Sequence, residues 1–352
     1  MKRSVQLGAA FAAGALIIAA CNGDNGDPVD EGEAEADIED EGAGTEDGEE
    51  VFLSIATGGT GGAYFPYGGG MSSMFNSELD NVTASAEATG ASVENVRLLH
   101  TNEAEVALIQ ADAFFFGMEG QEDFDEPQDI RAIAWMYPNF VQTTSTDPDI
   151  SSIEDLAGQR VAVGDAGSAA ELSMRLILDA LGLSEQDFDS VQRIGFTEMT
   201  AAFRNNQIDV GNYVGARGLG ALQELASTED ITLISYTQEQ MDQVAEAYPF
   251  ITSGFMPGGT YPGVDEDVEL IPTLANFVVV NTNMDRELAY TLTRAIYENQ
   301  EALEAAHPEG ANTTPENIVE NTFAPMHPGS IDYFEEIGIE LNEEVYPPEW
   351  DG

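Results

Sequence analysis

From residue 51 onward the chain switches between two hydrophobic periods. Short runs rich in β-branched and aromatic residues alternate with stretches in which apolar side chains return every three or four positions, the pattern of strands followed by amphipathic helices. The first run, 51–56, leads through glycines into a helical pattern with Met71, Met74, Phe75 and Leu79 on one face. Ser92 is placed to cap a second helix with Val93, Val96 and Leu99 turned inward. Residues 106–109 (VALI) form a continuous apolar strand that ends in Gln110-Ala111-Asp112. Residues 132–137 form another strand, followed by Pro138 and an extended segment at 140–144. A short helix and turn at 151–159 leads to the strand 161–163, then to a helix carrying Leu172, Leu176, Ala180 and Leu181 to a stop at Gly182. A helix at 197–206 and a strand at 208–213 follow, and two or three helices are expected between Asp285 and Asn342.

This alternation predicts an α/β fold with mainly parallel strand pairing. A folded part of about 300 residues exceeds what one core usually spans, so two lobes are expected. The boundaries are 51–140 with 281–345 for lobe I and 141–280 for lobe II. The chain crosses between them at 138–146 and again at 276–281 (NFVVVN), and two crossings permit a hinge.

Two Gly-rich junctions carry the candidate chemistry. In 51–70, VFLSIATGGTGGAYFPYGGG, a strand runs through Gly58, Gly59, Gly61 and Gly62 into a helix; such glycines permit positive φ and close backbone approach, so that N–H groups converge on an anion with Thr60 adding a hydroxyl. The spacing is not that of a P-loop and no lysine follows. In 160–171, RVAVGDAGSAAE, the pattern returns, and two such nests suggest two lobes facing one another. Gln110 and Asp112 lie just beyond a buried strand, where open α/β sheets place ligands, although a cap accounts equally well for Asp112. Asp165 and Ser168 fit either a ligand contact or a cap for the helix after them.

Charge and the chain's beginning narrow the setting. Met1-Lys2-Arg3, an apolar stretch over 5–20 and small residues before the single cysteine, Cys21, have the form of a lipoprotein signal peptide. Cleavage there leaves Cys21 as a lipid-bearing N-terminus, with no thiol remaining for a disulfide or a nucleophile. Residues 22–50 hold 14 acidic side chains and no basic ones, the composition of a disordered tether. It would reach on the order of 30 Å. Residues 51–352 carry 51 acidic residues against nine arginines, and the only lysine in the chain is Lys2. Such a surface repels nucleic acid and anionic membranes, and it fits adaptation to high salt or high pH outside the cell. Arg97, Arg131, Arg175, Arg193, Arg204 and Arg217 fit surface ion pairs better than a ligand clamp.

The blocks ATGGTGGAYFPYGGG at 56–70, SVENVRLL at 92–99, EVALIQADA at 105–113, MYP at 136–138, DLAGQRVAVGDAGSAAE at 155–171 and MHPGSIDYFEEIG at 326–338 resemble the TAXI family, the substrate-binding subunits of TRAP transporters. The resemblance covers residues 51 to about 340. It implies a two-lobed fold of the periplasmic-binding-protein type II kind, with a ligand cleft between the lobes. It also implies a small solute, usually glutamate, glutamine or a related carboxylate, and delivery to fused or separate TRAP membrane subunits driven by an ion gradient. Carried over by position, the ligand-facing residues are Gly59, Thr60, Gly61, Tyr64, Gln110, Asp165, Gly167 and Ser168, with Tyr137 and Tyr213 as further transfers; each of the tyrosines fits the core equally well. The expected state is a monomer without cofactor or metal.

Two other readings compete. A ligand-sensing receptor would use the same cleft to feed a signalling partner. A Ser-dependent hydrolase would need Ser168 as nucleophile, but GDAGSAA is not a Gly-x-Ser-x-Gly elbow, and His100, His307 and His327 lie at helix ends or beside proline.

Overall fold

The computed structural model describes residues 50–321 and 324–351. The expected signal peptide, the lipidated Cys21 and tether residues 22–49 lie outside them. The strands are β1 (Val51–Ala56), β2 (Val82–Glu87), β3 (Val106–Gln110), β4 (Ile130–Ser145), β5 (Arg160–Ala162), β6 (Ser190–Gln192), β7 (Val210–Gly215), β8 (Thr232–Leu233), β9 (Ile251–Met256) and β10 (Val268–Asn281). The helices are α1 (Tyr64–Glu78), α2 (Ser92–His100), α3 (Ala111–Glu119), α4 (Ala169–Ala180), α5 (Phe196–Arg204), α6 (Gly220–Ala226), α7 (Gln238–Ala247), α8 (Arg286–Glu298), α9 (Gln300–Ala306), α10 (Pro315–Asn321) and α11 (Pro328–Glu336).

All ten strands join one sheet in the order β2-β1-β3-β10-β4-β7-β5-β6, with β8 beside β4 and β9 beside β10. The α/β fold expected from the alternating periods is the fold observed. Strands β3 and β7 are buried at every position, as strands covered on both faces are.

The pairing is not mainly parallel. Strands β1, β2 and β3 pair in parallel at one end of the sheet and β5, β6 and β7 at the other, but the two long strands between them, β4 and β10, run antiparallel to each other and to their neighbours. Each of these long strands spans both ends of the sheet. β4 pairs with β10 from Ile130 to Phe140 and with β7 from Phe140 to Ser145. The segment 276–281, expected as a crossing, pairs with β3; the earlier part of β10 pairs with β9. Pro138 sits within β4 opposite Ala275, and the register shifts immediately after that pair. Proline has no N–H to give the ladder, so the strand changes partners where the ladder is weakest.

Local periods placed most elements. Met71, Met74 and Phe75 are buried on α1, and Val93, Val96 and Leu99 on α2. Ser92 does not cap α2: the cap position is Ala91, and the Ser92 hydroxyl accepts a hydrogen bond from Gln110 N at 3.0 Å. Among the described residues the region after Asp285 holds four α-helices rather than two or three, with prolines 308, 315 and 328 breaking its later part into short pieces. The larger apolar core runs from Leu53 and Phe75 through Phe277 to Leu172 and Val210; the smaller gathers Phe203, Tyr213, Leu222 and Tyr261.

Candidate functional site

The carboxyl ends of the parallel strands converge on one cleft of about 620 Å³. β1 contributes the loop 58–63, β2 the residues 89–92, β3 its terminal Gln110, β5 Asp165 and Ser168, and β6 Arg193 and the residues 195–198. Asn139, in the middle of β4, lies between the two groups of loops. This is where open α/β sheets accommodate ligands.

The two glycine junctions meet across the cleft. A Cβ on Gly61 would lie 2.7 Å from Thr197 Oγ1, and one on Gly59 would lie 3.8 Å from Asp165 Oδ2. None of the four glycines in the first junction takes positive φ, contrary to the expectation for a nest; a close approach requires glycine at Gly61, whereas a Cβ on Gly59 or Gly62 would make only ordinary contacts. Positive φ occurs in the second junction, at Gly164 (122°) and Gly167 (77°).

The helix starts behind these junctions differ. The cap position of α1, Ala63, has no side-chain cap; because Pro66 has no N–H and Tyr67 N donates to Ala63 O, the donors left to the cleft beside the exposed Thr60 are the N–H groups of Ala63 and Tyr64. α4 is closed by its own residues: Ser168 Oγ accepts from Glu171 N at 3.2 Å, and Glu171 Oε2 accepts from Gly167 N at 2.7 Å. One wall therefore has backbone donors to spare, and the other has satisfied them with a carboxylate.

A buried polar network forms the floor. Asn139 Nδ2 donates to Gln110 Oε1 at 2.7 Å and to Asn276 Oδ1 at 2.9 Å, and the Tyr64 hydroxyl also donates to Asn276 Oδ1. Gln110 Nε2 donates to both oxygens of Asp112, at 3.3 and 3.2 Å. Burial pushes the Asp112 carboxyl up to about 7 and raises the Tyr64 hydroxyl well above its ordinary value. One acceptor is left over: Asn139 Oδ1 is buried and has no hydrogen-bond partner. On the second wall, burial and then the charge of Glu198 raise the Asp165 carboxyl. Arg193 borders the cleft with its guanidinium engaged by Glu171 and Glu185.

Of the expected ligand-facing residues, Gly59, Thr60, Gly61, Tyr64, Gln110, Asp165 and Ser168 line this cleft. Gly167 is outside the lining and its N–H is taken by Glu171. Tyr137 is buried in the core, its ring 5.6 Å from Tyr67 and 6.0 Å from His307. Tyr213 packs behind Phe196 at 5.6 Å, its hydroxyl 3.2 Å from Thr200 Oγ1. Asp112 lies beneath the floor. Sequence reasoning missed Asn139, Ser92, Thr197 and Glu198 as cleft residues. Asn139 had a signal, a lone amide directly after proline inside an apolar strand; Glu198 had none, being one acid among many.

The histidines hold backbone. Nδ1 of His100, His307 and His327 accepts from the N–H of Asp129, Glu309 and Gly329 respectively, each at 3.2 Å. Ser168 Oγ is engaged as a helix cap, so no serine–histidine pair is assembled at this cleft. Among the described residues, no group of three or more His, Cys, Asp or Glu is placed to hold a metal ion, and no helix is long and apolar enough to cross a membrane.

The sequence profile of the NMT1-like family matches residues 55–338, which include every cleft element described above. The chain belongs to the NMT1-like family. This NMT1-like fold is similar to that of a solved protein from Bordetella bronchiseptica RB50, 17% identical, covering 86% of this chain and 91% of that one with a TM-score of 0.51. At a TM-score of 0.45 it is similar to a TctC solute binding protein from Polaromonas, 16% identical, covering 77% of this chain and 91% of that one. At 0.43 it is similar to the alkanesulfonate-binding protein SsuA from Xanthomonas axonopodis pv. citri, 12% identical, covering 84% and 96%.

Proposed function

We propose that this NMT1-like chain is an extracytoplasmic receptor that captures a small carboxylate-bearing solute, glutamate, glutamine or a related amino acid, and delivers it to a TRAP-type permease driven by an ion gradient. The observation that carries this reading is the uncapped start of α1, which opens beside Thr60 onto the cleft where the parallel strands end. A carboxylate there accepts hydrogen bonds from the N–H groups of Ala63 and Tyr64 and from the Thr60 hydroxyl, and the helix dipole favours its charge. Hydrogen bonds of this charged kind contribute about 1.5–3 kcal/mol each. An acidic protein can thus hold an anion locally.

In this reading the lobes 51–140 with 281–345 and 141–280 close on the solute about β4 and β10, and the register shift beside Pro138 supports a hinge there. The Ser168 hydroxyl accepts from Glu171 N and keeps a proton to donate into the cleft. The TRAP partner rests on the six TAXI-like sequence blocks, and the anchorage to the outer face of the membrane on the Lys2-Arg3 to Cys21 segment.

A thermal-shift panel of amino acids and organic acids in molar salt tests the receptor role. A true solute at 100 times its dissociation constant stabilises the protein by about 2.7 kcal/mol. A panel in which no carboxylate compound raises the unfolding midpoint contradicts the reading.

A further inference from the structure

The cleft is asymmetric in charge. The α1 side offers backbone N–H groups and Thr60, while the opposite side presents Asp165 and Glu198. These two carboxylates converge: a Cβ on Gly195 would lie 2.8 Å from Glu198 Oε2 and 3.0 Å from Asp165 Oδ2. Among the described residues neither has a salt bridge, and Arg193, which borders the cleft, is held by Glu171 and Glu185. Asn139, which also lines the cleft, independently carries an unsatisfied acceptor. The residue is 5% exposed, its Nδ2 is committed to Gln110 and Asn276, and its Oδ1 is unpartnered. A buried acceptor without a donor costs free energy unless something else supplies the N–H.

We infer that the solute brings an ammonium to the Asp165–Glu198 wall and an N–H to Asn139 Oδ1, so that the cleft selects neutral and basic amino acids over glutamate and other dicarboxylates. The inference rests on the receptor reading for its carboxylate and adds the sign of the remaining charge. A second carboxylate on the solute would face two carboxyl groups, and among the described residues the arginine that lines the cleft, Arg193, is already engaged. Like charges so placed discriminate between partners more sharply than a missing contact does.

The test is calorimetry on the folded protein in molar salt with glutamine, ornithine, glutamate, succinate and a diamine, on the wild type and on Asp165→Asn, Glu198→Gln and the double variant. Both replacements keep shape, and the variants' unfolding midpoints without solute check that they fold. Glutamine or ornithine is expected to bind at least about tenfold more tightly than glutamate, and the double variant to remove most of that gap. Glutamate or succinate binding as tightly as glutamine overturns the inference and leaves the receptor reading standing; so does a preference that survives in the double variant. Binding of the diamine alone keeps the acidic wall and removes the carboxylate site. No binding by any of the five overturns both.

Discussion

Asp112 is a carboxyl sealed under the cleft floor, where it accepts hydrogen bonds from Gln110 Nε2 and Ala113 N. In the unfolded chain it ionises near the ordinary value of about 4; in the folded protein it does so at about 7. Between those values the folded state holds a proton that the unfolded state releases. The resulting stability is full below about pH 4, declines as pH rises, and is gone above about pH 7. Asp112→Asn removes the titration. Its stability relative to the wild type is therefore expected to improve by on the order of 2–3 kcal/mol between pH 5 and pH 8, measured by chemical denaturation at fixed salt. A difference that stays flat across that range would show that Asp112 is ionised throughout. Gly61 makes a separate prediction. A methyl there meets Thr197 Oγ1 across the cleft, so Gly61→Ala is expected to weaken solute binding by about 1–3 kcal/mol, read by calorimetry. It should change the unfolding midpoint of the empty protein far less, since the nearest atoms that methyl meets, on Thr197 and Phe196, lie on the opposite wall of the cleft.

Among the elements, the two helix starts make opposite predictions. Ser168 caps α4, so Ser168→Ala is expected to lower stability by about 0.5–2 kcal/mol, measured by thermal or chemical unfolding. α1 has no cap side chain to lose, and its donors are expected to become protected from hydrogen exchange only when solute is bound. Protection of the α1 start in the empty protein would mean that those groups are already satisfied. The same contrast explains how much the sequence disclosed. The α1 face of Met71, Met74 and Phe75 and the apolar run before Gln110 are local periods, and local periods can be seen without a fold. β4 could not be seen as one 16-residue strand, because Pro138 divides it into two apparent runs. Pairing direction was hidden for a related reason, since it depends on where β4 and β10 meet after more than a hundred intervening residues. The cleft was legible where a glycine cluster or a strand end marked it. It was missed at Asn139, inside β4, and at Thr197 and Glu198, in the first turn of α5, because their places in the cleft depend on how the sheet brings those elements together. Tyr137 and Tyr213 show the converse: a tyrosine in a matching block is equally suited to a core, and both are buried there.

At the scale of the whole molecule, 65 acidic residues against 11 basic ones give a formal charge of −54, while the arginines of the described residues are largely committed to local partners such as Glu349, Asp209, Asp123 and Asp332. The unpaired excess repels itself, and salt shortens that repulsion to about 3 Å at 1 M from about 10 Å at 0.1 M. The unfolding midpoint is therefore expected to rise between 0.1 M and 1 M sodium chloride; a flat profile would mean that surface repulsion is not what limits stability. The larger apolar core, continuous from Leu53 to Leu172, spans both ends of the sheet, so closure about β4 and β10 is expected to bring the cleft walls together without opening that core. What the account depends on is the place where a solute's carboxylate rests. The most direct test is a crystal structure with the tightest binder from the amino-acid panel. The account predicts the carboxylate at the start of α1, within hydrogen-bond distance of its first-turn N–H groups and Thr60, with Asp165 on the opposite wall. A solute found outside the cleft, or bound within it with the carboxylate turned away from α1, would contradict it.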